Sequence, residues 1–143
     1  MEDVNGLTGL FEHNIDAKSR LFIPARLREE LGESFHLAMG TDQCLAIYPK
    51  ETWDRFREKF DALPMSESQS LRPLFAYATR CEPDSQGRIV VPQMLRKYAG
   101  LDKEVVIVGV SNRAEIWSAE VWRARNEEIT PAVMAACMAK LGF

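Results

Sequence analysis

Apolar and polar residues alternate in short stretches along this chain, which is the pattern of half-buried β-strands. Phe11, His13 and Ile15 lie on one face of the first such stretch. A tight turn follows, and the next apolar run ends at Pro24. Because proline has no donor for a β-ladder and suits the first turn of a helix, the pattern predicts two strands and then a helix.

The predicted helix carries Leu27 and Leu31 on one face, four positions apart, and Gly32 is placed to form a left-handed C-cap. Two further strands, over residues 35–39 and 44–48, are joined by a short turn. The unit therefore runs strand, strand, short helix, strand, strand.

The same unit occurs again 68 positions later. Three residues recur in order: Asp16 as Asp84, Arg20 as Arg88, and Pro24 as Pro92. Farther along, Trp53 recurs as Trp122 with an offset of 69, so one residue has been inserted. A repeat that keeps its order over a whole unit predicts two copies of one fold.

The repeat divides the chain into four expected segments. These are a first repeat over residues 8–54, a helical connector over 55–79, a second repeat over 80–125 and a C-terminal helix over 126–143. In the connector, Ser66 and Gln69 have the spacing of a capping box. Pro73 predicts either a helix that begins near Ser70 or a kinked helix. Thr130 is the predicted N-cap of the last helix.

The composition is that of a globular protein. The chain has 143 residues, of which 46% are hydrophobic, enough for a core without disulfides or metals. No apolar run approaches the roughly 18 residues of a membrane span, and residues 1–6 lack the order of a signal peptide. We therefore expect a cytoplasmic protein that does not bind a membrane.

Cysteine and histidine usage gives no sign of a metal site. Cys44, Cys81 and Cys137 are far apart and odd in number, and neither His13 nor His36 has a second histidine or a cysteine at metal-binding spacing. We expect unreactive thiols, ordinary strand histidines, no metal site and no cofactor.

The charge distribution is uneven. The net charge is −3 and the pI is about 5.5, which argues against a general binder of polyanions. Between positions 16 and 28, however, Asp16 is the one acidic residue against four basic ones: Lys18, Arg20, Arg26 and Arg28. Such a local cluster can bind phosphate even on an acidic protein.

The motif Asp-x-x-x-Arg occupies the predicted turn in both copies. We expect each turn to form the tip of a two-stranded ribbon, from which Arg20 or Arg88 reaches guanine in the major groove. Asp16 and Asp84 would fix the turns through bonds to the backbone. For a single copy, a surface ion pair is the simpler interpretation. Repetition in register favours a function.

These residues resemble the MraZ family, a group of AbrB-like and MazE-like regulators. The resemblance rests on residues 14–24, on Cys81-Glu82 with residues 84–88, and on residues 98–105, and it covers roughly Leu10 to Trp122. It implies an α+β fold, mainly β with short helices, in which two tandem AbrB-like repeats form a swapped-hairpin β-barrel. It also implies ring-shaped homo-oligomers that repress a division and cell-wall gene cluster by binding direct repeats in double-stranded DNA.

We expect DNA contacts from ten residues on the two turns and the helices beside them: Asp16, Lys18, Ser19, Arg20, Arg26, Arg28, Asp84, Gln86, Arg88 and Arg96. Lys18 would contact phosphate, and Gln86 lacks that charge in the second copy. Ser19 stands where the family usually has glycine, as Gly87 does. Because a side chain disfavours positive φ, the first turn is expected to differ in shape.

The sequence favours two other function classes less. MazE-like relatives suggest an antitoxin-like or inhibitory protein-interaction module with secondary DNA binding. An enzyme is disfavoured, because the sequence has no glycine-rich phosphate loop, nucleophile elbow or paired-ligand motif, and we expect no small-molecule substrate. The main expectation is a nucleoid-associated DNA-binding regulator.

Overall fold

The computed structural model describes residues 6–143; residues 1–5, which carry most of the signal-peptide argument, lie outside the described residues. Its strands, in chain order, are β1 Leu10–Asn14, β2 Arg20–Phe22, β3 Phe35–Met39, β4 Leu45–Pro49, β5 Thr79–Cys81, β6 Arg88–Val90, β7 Glu104–Gly109 and β8 Ala114–Ser118. Its α-helices are α1 Ala25–Leu31, α2 Lys50–Asp61, α3 Met65–Ser68, α4 Arg72–Tyr77, α5 Gln93–Ala99, α6 Ala119–Glu127 and α7 Pro131–Lys140. The α+β class with antiparallel sheets is thereby confirmed.

The strands form a six-stranded sheet in the order β1-β7-β8-β4-β3-β5 and a two-stranded ribbon of β2 with β6. The first copy contributes β1, β3 and β4 to the sheet, and the second contributes β5, β7 and β8. The repeat counterparts are β1 and β5, β3 and β7, and β4 and β8. If each strand is exchanged for its counterpart, the same strand order is obtained, read from the opposite edge of the sheet. The two copies are therefore related by an internal pseudo-two-fold axis between β4 and β8.

The pairing that the local pattern predicts, between the two strands on either side of each turn, is wrong. The strand before the first turn, β1, pairs with β7, whereas the strand after it, β2, pairs with β6. The two copies therefore share one ribbon instead of each forming its own. The alternation of apolar and polar residues indicates which face of a strand is buried but not which strand it pairs with. The local pattern therefore could not predict this exchange.

The main core lies between one face of the sheet and the layer that contains the ribbon, α1 and α5. Leu21, Leu27, Ile89 and Leu95 from this layer are at most 3% exposed and belong to the same buried cluster as Ile107 of the sheet. Helices α2, α4 and α6 pack against the other face of the sheet. The molecule thus has three layers, and the ribbon lies opposite α6.

Both short helices begin directly after proline, as predicted. Pro24 precedes α1 and Pro92 precedes α5, each with φ near −60°. The C-caps differ, because Gly100 is left-handed whereas Gly32 combines φ 88° with an extended ψ of −175°. The expected left-handed cap at Gly32 is therefore wrong in ψ, although its positive φ still favours glycine.

The expected connector, residues 55–79, contains most of α2 and all of α3 and α4. Pro64, not Ser66, is the N-cap of α3, so the expected capping box is wrong. Pro73 lies in the first turn of α4, where its missing N–H costs no helical hydrogen bond. Of the two alternatives for this segment, the later helix start is confirmed, two residues beyond Ser70.

Helix α7 is capped as predicted, with the Thr130 hydroxyl accepting from the backbone N–H of Val133 at 3.2 Å. All ten residues of α7 are exposed. Within residues 6–143, the helices are too short or too polar to cross a membrane.

Candidate nucleic-acid interface

The first turn is organised by the carboxylate of Asp16. Its Oδ1 atom accepts hydrogen bonds from the backbone N–H groups of Lys18 at 2.9 Å and Arg20 at 2.8 Å. Its Oδ2 atom accepts from Nε of Arg20 at 2.7 Å. One short side chain therefore holds both the backbone of the turn and the guanidinium that follows it.

The second turn repeats this arrangement atom for atom. Asp84 Oδ1 accepts from the backbone N–H groups of Gln86 and Arg88, both at 2.9 Å, and Oδ2 accepts from Nε of Arg88 at 3.0 Å. The expectation that aspartate fixes each turn and restrains its arginine is confirmed.

The same hydrogen bonds stabilise the ionised carboxylates. The backbone N–H of Arg20 is the chief cause that lowers the pKa of Asp16, and the backbone N–H of Arg88 has this role for Asp84; partial desolvation opposes both. At neutral pH both aspartates are therefore charged and hold their arginines.

Each guanidinium is held along one edge by its aspartate. Nε is taken by aspartate, and in the described part of the chain Nη1 and Nη2 of Arg20 and Arg88 donate to no protein acceptor. The two side chains are 32% and 27% exposed. A planar fork held at one end offers paired donors to a ligand with two acceptors, such as the O6 and N7 atoms of guanine.

The β2–β6 register brings both arginines to one outward face. Leu21 pairs with Ile89, and these two residues point into the core. Arg20 pairs with Val90, and Arg88 pairs with Phe22. Because side chains alternate along a strand, all four of these flanking residues share the opposite face. Arg20 and Arg88 are then diagonal neighbours, about 7–8 Å apart by ordinary strand geometry.

Each turn is also bonded to the other copy. The backbone carbonyl of Ser19 accepts from the N–H of Val91 at 2.8 Å, and the carbonyl of Gly87 accepts from the N–H of Ile23 at 2.9 Å. Ser19 has φ 60° and Gly87 has φ 79°. The expected difference in turn shape is therefore wrong: serine adopts the left-handed conformation because the surrounding bonds hold it there.

The helix arginines extend to the turn of the opposite copy. Nη1 of Arg96 donates to the Ser19 hydroxyl at 2.9 Å. Arg28 lies against Gly87, where a Cβ atom would come within 2.9 Å of the guanidinium carbon. Arg28 also donates to the carbonyl of Ile23 at 2.8 Å. These arginines brace the turns, whereas their contact with DNA stays a prediction.

The structure does not bring Arg26 to the turns. Its Nη2 atom lies 3.3 Å from the hydroxyl of Thr8, in the segment before β1. Lys18 and Gln86 are exposed at the turns, where a phosphate can approach them. Sequence reasoning missed Phe22 and Val90, although their alternation with buried Leu21 and Ile89 was a usable signal.

Two of the cysteines, Cys44 and Cys81, are buried. Burial raises the pKa of the Cys44 thiol to about 12 and that of Cys81 to about 11. Among the residues described, no three His, Cys, Asp or Glu side chains are close enough to hold a metal ion.

Comparison with known proteins gives a consistent result. The family model described as "MraZ protein, putative antitoxin-like" matches residues 7–72 and 74–136. A "Transcriptional regulator MraZ" of Heliobacterium modesticaldum is 50% identical over 127 residues, which cover 87% of this chain and 89% of the relative. Proteins with the same description from Carboxydothermus hydrogenoformans and Desulfitobacterium hafniense are 52% and 46% identical, covering 80% and 94% of this chain and 82% and 98% of the relatives.

Proposed function

The chain belongs to the MraZ family, and on that premise we propose that it is a sequence-specific DNA-binding transcriptional regulator rather than an enzyme. The observation that carries the proposal is the placement of Arg20 and Arg88 on one outward ribbon face, each held at Nε by aspartate. A two-stranded ribbon fits the major groove of B-DNA.

The ribbon supplies direct readout, and its neighbours supply phosphate contacts. Arg20 and Arg88 read guanines, and Lys18 contacts the backbone on one side. Gln86 leaves the other side without this cation. We also propose that the six-stranded sheet and the ribbon together form a closed swapped-hairpin barrel.

We further propose a ring-shaped homo-oligomer that binds direct repeats and represses the division and cell-wall gene cluster to which its own gene belongs. The net charge of −3 supports an assembly, because one subunit neutralises few phosphates. In a ring, subunits face the DNA with one polarity, which suits direct repeats. Each further ribbon then binds at a high effective concentration. Association with the nucleoid follows from the same DNA binding.

Substitutions in the ribbon test the readout. Fluorescence anisotropy with the DNA upstream of the gene should show that Arg20→Ala and Arg88→Ala each cost about 1–3 kcal/mol and relax one base preference. Arg20→Lys should recover little, because lysine keeps the charge but lacks the planar fork. The matched control is Arg123→Ala on α6, which removes an exposed arginine from the opposite layer. Equal binding by Arg20→Ala and Arg123→Ala would contradict the assignment.

The assembly is tested separately. Light scattering gives the subunit number, and titrations use duplexes with one, two and three repeats. Affinity should rise steeply with repeat number, and inserting about half a helical turn between repeats should remove the gain. A monomer that binds one site as tightly as several would rule out the assembly.

A titration with a shuffled duplex, added to these experiments, addresses the protein-interaction alternative. If the protein binds the upstream duplex no better than a shuffled duplex of equal length, sequence-specific regulation is excluded and the antitoxin-like alternative is favoured.

A further inference from the structure

The outward face of the ribbon carries an apolar side chain beside the two arginines. Val90 is 59% exposed, although Ile89 and Val91 on either side of it are at most 3% exposed. It lies directly opposite Arg20 in the register. Cβ atoms of such a pair are about 4.5–5.5 Å apart. Arg20 and Val90 also line one surface depression, so a molecule that enters it can contact both side chains.

The corresponding position in the first copy is already occupied by internal contacts. Phe22 is the repeat counterpart of Val90 and lies opposite Arg88. Its ring centroid is 5.3 Å from that of His13, and the guanidinium carbon of Arg28 lies 5.6 Å from the ring centroid. Phe22 therefore packs within the protein.

The second copy has smaller residues at both places. Val90 replaces Phe22, and Cys81 replaces His13, at the same offset of 68. A surface depression results, whose lining includes Arg20, Arg88, Val90 and Cys81. The pseudo-symmetric ribbon thus has one filled side and one open side.

The chemistry of the major groove indicates which group of a base would contact the open side of the ribbon. Thymine is the base that presents a methyl group there, and apolar side chains recognise it by contact. Successive bases are about 3.4 Å apart, so a side chain next to an arginine on guanine reaches the adjacent base pair. We propose that Val90 contacts the C5-methyl group of a thymine adjacent to the guanine read by Arg20. This inference rests on the proposed DNA binding and assigns its specificity to one side of the ribbon.

The test removes the methyl group from the DNA. A preferred duplex is first selected with the full-length protein from a randomised pool, and each thymine is then replaced in turn by deoxyuridine. With the unchanged protein, replacing one particular thymine per ribbon by deoxyuridine should lower the affinity roughly fourfold. For Val90→Ala the thymine duplex should bind more weakly, and the deoxyuridine replacement should have no further effect.

The control is Val133→Ala, the same substitution at an exposed valine of α7. It should keep the fourfold methyl dependence, and thermal melting should show that both variants are folded. Indifference of the unchanged protein to every replacement would overturn the inference, as would an undiminished methyl dependence in Val90→Ala. In either case a selected duplex still supports regulation by DNA binding, whereas a pool that yields no preferred duplex overturns both proposals.

Discussion

The guanidinium of Arg96 donates a hydrogen bond to the hydroxyl of Ser19 across the boundary between the two copies, over 2.9 Å. The φ of 60° at Ser19 strains the backbone, and this hydrogen bond offsets part of the strain energy. Ser19→Ala should lower the free energy of unfolding by about 1–2 kcal/mol, because it keeps the strain and leaves the donor without its partner. Ser19→Gly should cost less, because glycine relieves the strain. Urea denaturation measures both, and equal losses would show that strain is unimportant.

The turns should weaken in acid. The lowered pKa values of Asp16 and Asp84 mean that folding favours their ionised forms. Their contribution to stability is therefore complete above the unfolded pKa of about 3.9 and is lost as pH falls through the lower folded pKa. NMR titration should place both carboxyl groups below their ordinary range. Asp16→Asn should flatten the acid dependence of the free energy of unfolding, and an unaltered dependence would contradict this role.

The two turns should differ in their response to salt. Lys18→Ala should weaken binding to all sequences equally and reduce the slope of log affinity against log salt by roughly one. Gln86→Lys should increase that slope by about one, because it restores the missing cation in the second copy. Titrations at several salt concentrations test both changes. A loss of base preference in Lys18→Ala would assign lysine to readout instead.

The first copy should not fold alone as a monomer. A fragment ending at Leu63 retains β1 and β3 but lacks β7 and β5, the strands that pair with them. It also lacks β6, the strand that pairs with β2, so Leu21 would be more exposed to solvent. The fragment should be insoluble or should dimerise to replace the missing half. Size-exclusion chromatography with light scattering tests this, and a cooperatively melting monomer would refute it.

Local features of this fold were predictable, whereas strand partners were not. Pro24 correctly predicted the start of α1, because proline restricts only the backbone next to it. Asp16 correctly predicted its turn, because its side chain bonds to backbone groups a few residues away. The pairing of Arg20 with Val90 depends on which strands meet in three dimensions. The contact between Arg96 and Ser19 is equally remote in sequence. Sequence identified most residues of the candidate interface but placed them on two ribbons instead of one.

The exchange of strands also affects how the protein forms during synthesis. Leu10 pairs with Val108, so β1 has to wait until almost a hundred further residues have been made. At about 5–20 residues per second, this delay lasts roughly 5–20 seconds. Pairings between such distant segments are slow to form, because a long loop has to close first. The nascent first half is therefore exposed to proteases and chaperones until the second half emerges, and both halves reach their final structure together.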